Sequence, residues 1–416
     1  MKMSLAAALL MSVGTVSAQA EDGVNVLSDV KFSGELRPRY EYTDVDNGVD
    51  AGHSITNRTN LNIKAKLLEV DGLTATIELN SVNDFNSLDK KTSQNAAEAD
   101  EAKMTQANVA YASGSTTAVV GRKTVNLDNQ RFIGSVGWKQ NFQTLDLASA
   151  AYKNDSLSVL AAYVYGVNAI ADNGNGQPNI YYGIRANGTI IPAGGTGSGA
   201  TNTALLNASY KVMDELKVTA YSYMIGSVSD TYGLALTGKV KAGDIGVSYR
   251  AEYATQADAT LEVKDFGKGQ NDSSYYNIDV SANMSGILAG VNYEVLGDDE
   301  NGGAFQTPMA TKHKFNGFAD QFLITPGAGL QDLNLMVGYK AKGFGVAKAI
   351  YHTYDSDAGS VNYGSELDLL YKNKITAFKG VTGLLKGAFY SGGDAAGGKA
   401  TDVTKVWAML DYKFSI

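Results

Sequence analysis

Eight charged side chains near the start of the chain alternate with apolar neighbours in two segments, residues 30–43 and residues 54–70. They are Lys31, Glu35, Arg37, Arg39, Glu41, Arg58, Lys64 and Lys66. Six of the eight are basic, although the whole chain has a formal net charge of −8. A period of two places successive side chains on opposite faces of a sheet, so water must reach the charged face.

Basic side chains gathered along a narrow, water-filled passage attract anions and favour their passage. The eight positions are therefore predicted to line a channel that prefers small anionic solutes. The sequence also allows a lumen in which acids from later segments neutralise these bases. Those acids are Glu78, Glu252, Asp279 and Glu294.

Two later segments combine aromatic side chains with Arg, Lys, Asn and Gln more densely than a turn requires. Their sequences are GRKTVNLDNQRFIGSVGWKQNFQTLDLASAAY, residues 121–152, and KHKFNGFADQFLITPGAGLQDL, residues 312–333. An ordinary surface loop needs neither Trp138 nor Arg131. This composition suits loops that stack on sugar rings or fold into a lumen and narrow it.

In these two strings, and in the alternation along most of the chain, the sequence resembles the alginate-export family of outer-membrane porins. The resemblance implies a barrel of about 18 strands through which small or chain-like anionic solutes diffuse. It makes Arg122, Arg131, Trp138 and Lys139 candidates for a constriction or for solute contact. It gives the same role to His313 and Asp320, which with Phe315 and Phe318 belong to a folded-in loop. The final Ile416 departs from the aromatic end that the barrel assembly machinery commonly reads.

Catalytic and metal-binding patterns are missing from the sequence. The chain has three histidines, His53, His313 and His352, and no cysteine. It contains neither a nucleophile elbow nor the spacing of zinc ligands. The acidic cluster around Gly48 fails the EF-hand spacing, because no Glu closes that loop at its twelfth position. We therefore expect no enzyme activity, no cofactor and no metal site.

A sheet must position these side chains, and the alternation predicts one. It recurs up to the last residue, where Val406, Ala408, Leu410, Tyr412, Phe414 and Ile416 share a side. About 18 such segments can be counted, joined by short turns and long polar loops. The long loops are predicted at residues 84–102, 168–201, 255–273, 297–331 and 391–402. The fold class is all-β: a transmembrane antiparallel β-barrel, apolar outside and wet inside, with short periplasmic turns and long extracellular loops.

The two ends of this pattern carry further information. Lys2, the apolar residues 5–13 and the small residues Ala18 and Ala20 predict a cleaved signal peptide over residues 1–20, followed by one barrel domain over residues 21–416. No later run of about 18 apolar residues could span a membrane as a helix. Pro38 removes a ladder donor inside the first alternating segment, so we expect a bulge or a rim position there.

These observations predict a porin of the Gram-negative outer membrane, through which small hydrophilic solutes diffuse passively. Two alternatives stay open: export of an acidic polysaccharide, which depends on the family likeness alone, and a structural or adhesin barrel with a plugged lumen. Expected partners are outer-membrane lipid and lipopolysaccharide, small solutes, the barrel assembly machinery and a second copy of the chain. The acidic net charge argues against nucleic acid.

Overall fold

The computed structural model describes most of the chain. The described residues are 24–85, 101–170, 181–184, 190–192, 201–263, 267–299 and 303–416. The predicted signal peptide, residues 1–20, and its cleavage site lie outside the described residues.

Within the described residues, eighteen long strands form one sheet, and four short strands form two small hairpins. The long strands are β1 (Leu27–Val45), β2 (Gly52–Leu67), β3 (Leu73–Asp84), β4 (Glu101–Ser113), β5 (Thr116–Lys123), β6 (Thr144–Lys153), β7 (Leu157–Asn168), β10 (Thr203–Met213), β11 (Leu216–Ile225), β12 (Ser229–Ala242), β13 (Ile245–Ala257), β14 (Ser273–Met284), β15 (Ile287–Leu296), β18 (Leu330–Ala341), β19 (Gly345–Asp355), β20 (Asn362–Lys374), β21 (Val381–Gly392) and β22 (Val403–Ser415). The short strands are β8 (Tyr181–Ile184), β9 (Ile190–Pro192), β16 (Asp298–Asp299) and β17 (Gly303–Ala304).

Each long strand pairs antiparallel with its neighbours along the chain, and the last strand pairs with the first. The closing ladder runs from Ser33 opposite Ser415 to Val45 opposite Val403. Closure satisfies the backbone groups that an open sheet edge would leave unpaired. The prediction of an all-β antiparallel barrel of about 18 strands is confirmed. No helix in the described part of the chain is both long and apolar enough to cross a membrane.

The alternation in β1 decides which side of the wall each residue faces. Leu36 and Tyr40 are exposed on the outer surface, whereas Arg37 and Arg39 are 4 % and 1 % exposed and point into the barrel. Directly opposite residues on antiparallel strands share a face, so the strand registers extend this assignment round the wall. The outer face is rich in exposed apolar side chains such as Val337, which is 63 % exposed. Lipid covers such a band in outer-membrane barrels.

The two rims of the barrel differ in the length of their connections. Eight connections of two to six residues lie on one rim, which we call the short-turn rim. Nine connections lie on the other rim, and six of these have ten or more residues. This asymmetry is the arrangement predicted from the sequence, and it leaves enough chain on one rim to fold back into the lumen.

Gly72 allows one of the short turns to close. Its φ angle is +82°, and a Cβ atom there would lie 1.9 Å from the carbonyl oxygen of Ala112. Gly72→Ala is expected to lower the free energy of unfolding by about 3 kcal/mol, because strain and a backbone clash add together. Gly243, in the turn between β12 and β13, has a φ of +60° with open space around it. Gly243→Ala should therefore lower the free energy of unfolding by only about 1 kcal/mol. If urea unfolding gives the same loss for Gly72→Ala and Gly243→Ala, the close approach of Gly72 to Ala112 is contradicted.

Pro38 interrupts the seam at which the barrel closes. The ladder between β1 and β22 passes from Leu36 opposite Tyr412 to Arg39 opposite Met409, and it skips the two positions between them. On the other side of β1, Pro38 keeps its place opposite Asn57 in the ladder with β2. The prediction of a bulge or a rim position at Pro38 is therefore wrong: the register is the same on both sides, and Pro38 leaves only a local gap in one ladder, because proline has no N–H to donate.

The interior is not wet throughout, which corrects the simple picture of a polar lumen. Phe132 and Ile133 pack inside the barrel against inward-facing residues that include Leu147, Val164 and Tyr221. The chain that folds back into the lumen needs apolar partners there, and these strands supply them.

The boundaries of the two aromatic and basic strings also need correction. The first string begins in β5 and ends in β6, so only residues 124–143 form a loop, and the second runs into β18.

Candidate functional site

Two connections of the long-loop rim fold back into the lumen. We call residues 124–143, between β5 and β6, loop A, and residues 305–329, which precede β18, loop B. Both contact side chains that point inward from the barrel wall. Their contacts with the wall and with each other determine how much of the lumen stays open.

Three arginines of the wall hold loop A. Arg37 donates hydrogen bonds to the carbonyl oxygens of residues 137–139, Arg39 to that of Trp138, and Arg58 to that of Lys139. The five distances lie between 2.6 and 3.2 Å. Hydrogen bonds from a charged donor are stronger than neutral ones, so this cluster is a firm anchor. These arginines point into the barrel, and loop A covers them.

Gln140 adds an amide to the same anchor. Its side-chain N–H donates to the carbonyl oxygen of Arg37 at 3.1 Å and to the Thr56 hydroxyl at 2.9 Å, and its Oε1 accepts from Arg37 Nε at 3.0 Å. Asn80 on β3 donates to the Gln140 carbonyl oxygen at 3.2 Å. Loop A is thus hydrogen-bonded to three adjacent strands of the wall.

Loop A and loop B are hydrogen-bonded to each other inside the barrel. The backbone N–H of Thr311 donates to the Gln130 carbonyl oxygen at 3.1 Å, and its hydroxyl donates to Gln130 Oε1 at 2.9 Å. The Met309 carbonyl oxygen accepts from the Gly134 N–H at 2.9 Å and from Gln143 Nε2 at 3.0 Å. The two loops therefore form one layer inside the barrel, which we call the shelf.

Arg131 ties loop A to the far part of the wall. Its guanidinium donates two hydrogen bonds to the Glu294 carboxylate, at 2.8 and 3.0 Å, and one to Asn316 Oδ1 at 3.0 Å. It also lies 4.8 Å from the centre of the Phe315 ring. A buried guanidinium needs such a paired carboxylate. Arg131 is therefore a structural centre of the shelf rather than a group free to meet a solute.

Acidic residues of the wall hold loop B through its backbone. The N–H of Phe318 donates to Asp368 at 3.0 Å, and the N–H of Ala319 donates to Glu366 at 2.7 Å. Wall carboxylates thus accept from backbone N–H groups of loop B, whereas the arginines on β1 and β2 donate to backbone carbonyl oxygens of loop A. Within the described ranges, no group of three or more His, Cys, Asp or Glu residues is arranged to hold a metal ion.

Lys386 on β21 meets both loops at one point. Its Nζ lies 2.7 Å from His313 Nε2, 3.2 Å from the centre of the Phe318 ring and 4.1 Å from that of Trp138. His313 stacks on Trp138 with ring centres 4.6 Å apart, and its Nδ1 lies 2.8 Å from Asp320 Oδ1. We call Lys386, His313, Asp320, Trp138 and Phe318 the latch.

The hydrogen bonds of the latch require a neutral His313. An ammonium group can only donate, so Nε2 must accept from Lys386, and the proton of the ring then lies on Nδ1 and is donated to Asp320. Burial, together with the nearby Lys386, lowers the pKa of His313 to about 3. The imidazole is therefore neutral near pH 7, and a second proton would face the ammonium at hydrogen-bond distance.

Lysines at lumen-facing positions surround the half of the barrel next to the short-turn rim. This lysine ring includes Lys31, Lys64, Lys153, Lys217, Lys239, Lys340, Lys348, Lys372 and Lys413. Acids such as Asp279 and Asp411 lie among them. From the sequence, this pattern was predicted only for the first two strands. Lysine at inward positions close to several later short turns was the signal that could have revealed the rest.

A cavity of about 380 Å³ lies between loop B and this half of the wall. Lys314 and Phe315 of loop B line it, together with Arg250, Asn277 and Asp279 of the wall. A small solute in this cavity would meet cationic and anionic side chains, an amide and an aromatic ring.

The remaining candidate residues divide between lumen, turn and outer surface. Lys139 lies in the shelf, with its Nζ 3.7 Å from Asp320 Oδ2. Lys66 forms an exposed ion pair with Asp71 in a short turn, at 2.6 Å. Within the wall, Glu35 pairs with Arg58, and Glu41 with Arg39.

Arg122 is a correction, because it does not lie where a constriction residue must lie. It stands opposite Ala107 on β4 and Asp146 on β6, at positions that face out of the barrel, and its Nε donates to Asp146 at 2.6 Å. The composition of the first string predicts a loop at this position, but Arg122 belongs to β5, where the alternation turns it away from the lumen.

Comparisons with known proteins identify the fold alone. No protein-family model matches the chain, and no curated protein matches it. Among solved structures, Acinetobacter baumannii OccAB1 matches with a TM-score of 0.70 and 11 % identity, over 96 % of this chain and 100 % of that one. Pseudomonas aeruginosa OccK8 (OprE) matches with a TM-score of 0.68 and 15 % identity, over 93 % and 98 %.

Pseudomonas aeruginosa OpdK, solved with vanillate, matches with a TM-score of 0.69 and 12 % identity, over 94 % of this chain and 100 % of that one. These neighbours are outer-membrane porins with 18-stranded barrels. The resemblance to the alginate-export family finds no support among them.

Proposed function

We propose that this protein is a porin of the Gram-negative outer membrane that lets small hydrophilic solutes, preferably anions, diffuse passively. The single observation that carries the proposal is the lysine ring inside a closed barrel whose outer face is apolar. Cations around a narrow passage raise the local concentration of anions and lower the barrier to their entry. Vanillate, the molecule solved with OpdK, is itself a small carboxylate anion.

The shelf supports a limit on solute size. Loop A is hydrogen-bonded to β1, β2 and β3, and loop B to β20, so the two loops narrow the lumen from fixed positions. A long acidic polysaccharide would need a wide, continuous opening, which this layer opposes. Selection by charge and by cross-section needs no cofactor and no chemistry on the solute.

The test is the zero-current potential of single channels across a salt gradient in planar bilayers. We expect stepwise conductance and a potential whose sign reports anions as the more permeant ions. A folded barrel that conducts nothing would contradict the proposal and favour the structural or adhesin alternative.

One lysine of the ring provides a matched test of anion preference. Lys348→Gln removes a cation from the lumen, and we expect the anion-to-cation permeability ratio to fall by roughly a factor of two. Arg122→Gln removes a cation from the outer face and should leave the ratio unchanged. A ratio that responds equally to the two substitutions would show that lumen charge does not set the preference.

A further inference from the structure

Four pairs of like charges stand directly opposite each other on neighbouring strands of the described wall, all on its lumen face. The pairs are Arg37 with Arg58, Lys211 with Lys217, Glu294 with Asp332, and Lys31 with Lys64. Like charges directly opposite each other on paired strands repel and destabilise the sheet. Each pair therefore calls for a group that offsets its charge.

Three of the four pairs have such groups within the protein. The groups are Glu35 and the carbonyl oxygens of residues 137–139 for Arg37 and Arg58, Asp214 and Asp128 for Lys211 and Lys217, and Arg131 and His352 for Glu294 and Asp332. The chain thus neutralises its like-charge pairs even where this requires a loop to reach into the lumen.

The fourth pair, Lys31 and Lys64, is different. Neither side chain forms a hydrogen bond or an ion pair with any residue in the described ranges, and both are exposed to the lumen. A third lysine, Lys123 on β5, interacts electrostatically with Lys64 and likewise has no acidic partner among the described residues. Thr76, directly opposite Lys64 on β3, places a hydroxyl group beside them.

We infer that Lys31, Lys64 and Lys123 form a binding site for a small dianion of the phosphate or sulfate type. This inference rests on the proposed function and names a solute class for it. One dianion between two ammonium groups replaces their repulsion with two attractions, whereas a monovalent anion neutralises only one of them. Lysine ammonium groups are compact, charged donors that suit tetrahedral oxyanions.

Lys31 and Lys64 lie near the short-turn ends of β1 and β2, and they face the lumen, so an occupied site changes the flow of other ions. A dianion held there fills part of the opening and cancels the field of the nearest lysines. Phosphate should therefore lower the chloride current through the open channel in a saturable manner, at low ionic strength where exposed charges are little screened.

The experiment titrates inorganic phosphate at pH 8 against the chloride current of single channels. We expect Lys64→Gln to raise the phosphate concentration for half-maximal effect by about fivefold, the upper end of what one exposed ion pair contributes. Lys340→Gln is the matched control, because Lys340 faces the same half of the lumen but stands opposite Val346. In this control, the phosphate concentration for half-maximal effect should stay within about twofold of the wild-type value.

A second measurement does not need conductance. Phosphate should raise the unfolding temperature of the detergent-solubilised wild-type barrel and that of Lys340→Gln, but not that of Lys64→Gln. Equal phosphate responses of the wild-type protein and Lys64→Gln, or an equal effect of acetate at the same concentration, would overturn the dianion site while leaving an anion-preferring pore intact. A barrel without conductance would contradict the proposed function instead.

Discussion

Replacing Arg37, Arg39 and Arg58 together by Met is expected to increase the single-channel conductance by about threefold or more. These arginines donate five hydrogen bonds to backbone carbonyl oxygens of loop A, and hydrogen bonds from charged donors contribute about 1.5–3 kcal/mol each. Their loss removes the anchor on β1 and β2 and shifts loop A away from the wall. The lumen then widens although three cations have left it.

The direction of this change separates two roles for the same residues. If the three arginines lined the open passage, as the sequence alone suggested, their removal would lower the conductance of an anion-preferring pore. If they hold loop A, the conductance rises, and larger uncharged sugars become permeant. Arg122→Met, on the outer face, is the control and should change neither quantity. A lower conductance with an unchanged size limit would contradict the anchoring role.

Acidification from pH 7.5 to pH 4.5 is expected to release the shelf and raise the conductance several-fold. The pKa of His313 is lowered to about 3 by burial in the latch, whereas that of an exposed imidazole is about 6.5. The released loop therefore takes up a proton between these two pH values and the latched loop does not.

The sign of the effect follows from this difference in proton uptake. The latched state loses stability as the pH falls below about 6.5, at about 1.4 kcal/mol per pH unit, and continues to lose it down to about pH 3. At pH 4.5 the loss is about 3 kcal/mol, which shifts the equilibrium by on the order of a hundredfold towards the released state. Titratable and charged groups around the latch are Lys386, Asp320, Lys139, Arg39, Lys405, Asp368 and Glu366.

His313→Gln isolates the contribution of this imidazole. Glutamine does not titrate, so the conductance of this variant should be nearly constant between pH 6.5 and pH 4.5. His53→Gln is the control, because His53 is exposed on the outer face, where it contacts Tyr40 at 2.8 Å. An acid response that persists in His313→Gln would show that another group opens the channel.

The barrel itself could be predicted from the sequence because its signal is local. Alternation in β1 assigns Arg37 and Leu36 to opposite faces without knowledge of any other segment, and the missing N–H of Pro38 indicates the gap in one ladder for the same reason. The functional role of the inward charges could not be predicted in this way. Arg37 and the carbonyl oxygen of Gly137 are 100 positions apart, and no local pattern shows that they meet.

The latch could not be predicted from the sequence either, because its wall residue, Lys386, meets residues that are distant in the chain. Lys386 lies in an ordinary strand, 73 positions from His313, and nothing next to it in the sequence indicates an aromatic cage. The prediction that Arg122 lies in a constriction was wrong for a different reason. The local composition of its string is typical of a loop, whereas Arg122 lies in a strand that turns it outward. The lysine ring was accessible in principle, because it repeats one local feature on many strands.

The most direct test of the account is whether loop A and loop B act as one closed layer inside the lumen. Thr311 and Gln130 are joined by two hydrogen bonds, and the chain has no native cysteine, so Gln130→Cys with Thr311→Cys introduces one defined crosslink. We expect the oxidised double variant to keep its neutral-pH conductance at pH 4.5 and the reduced form to open. Failure of the disulfide to form, or an equal rise in both forms, would contradict the shelf.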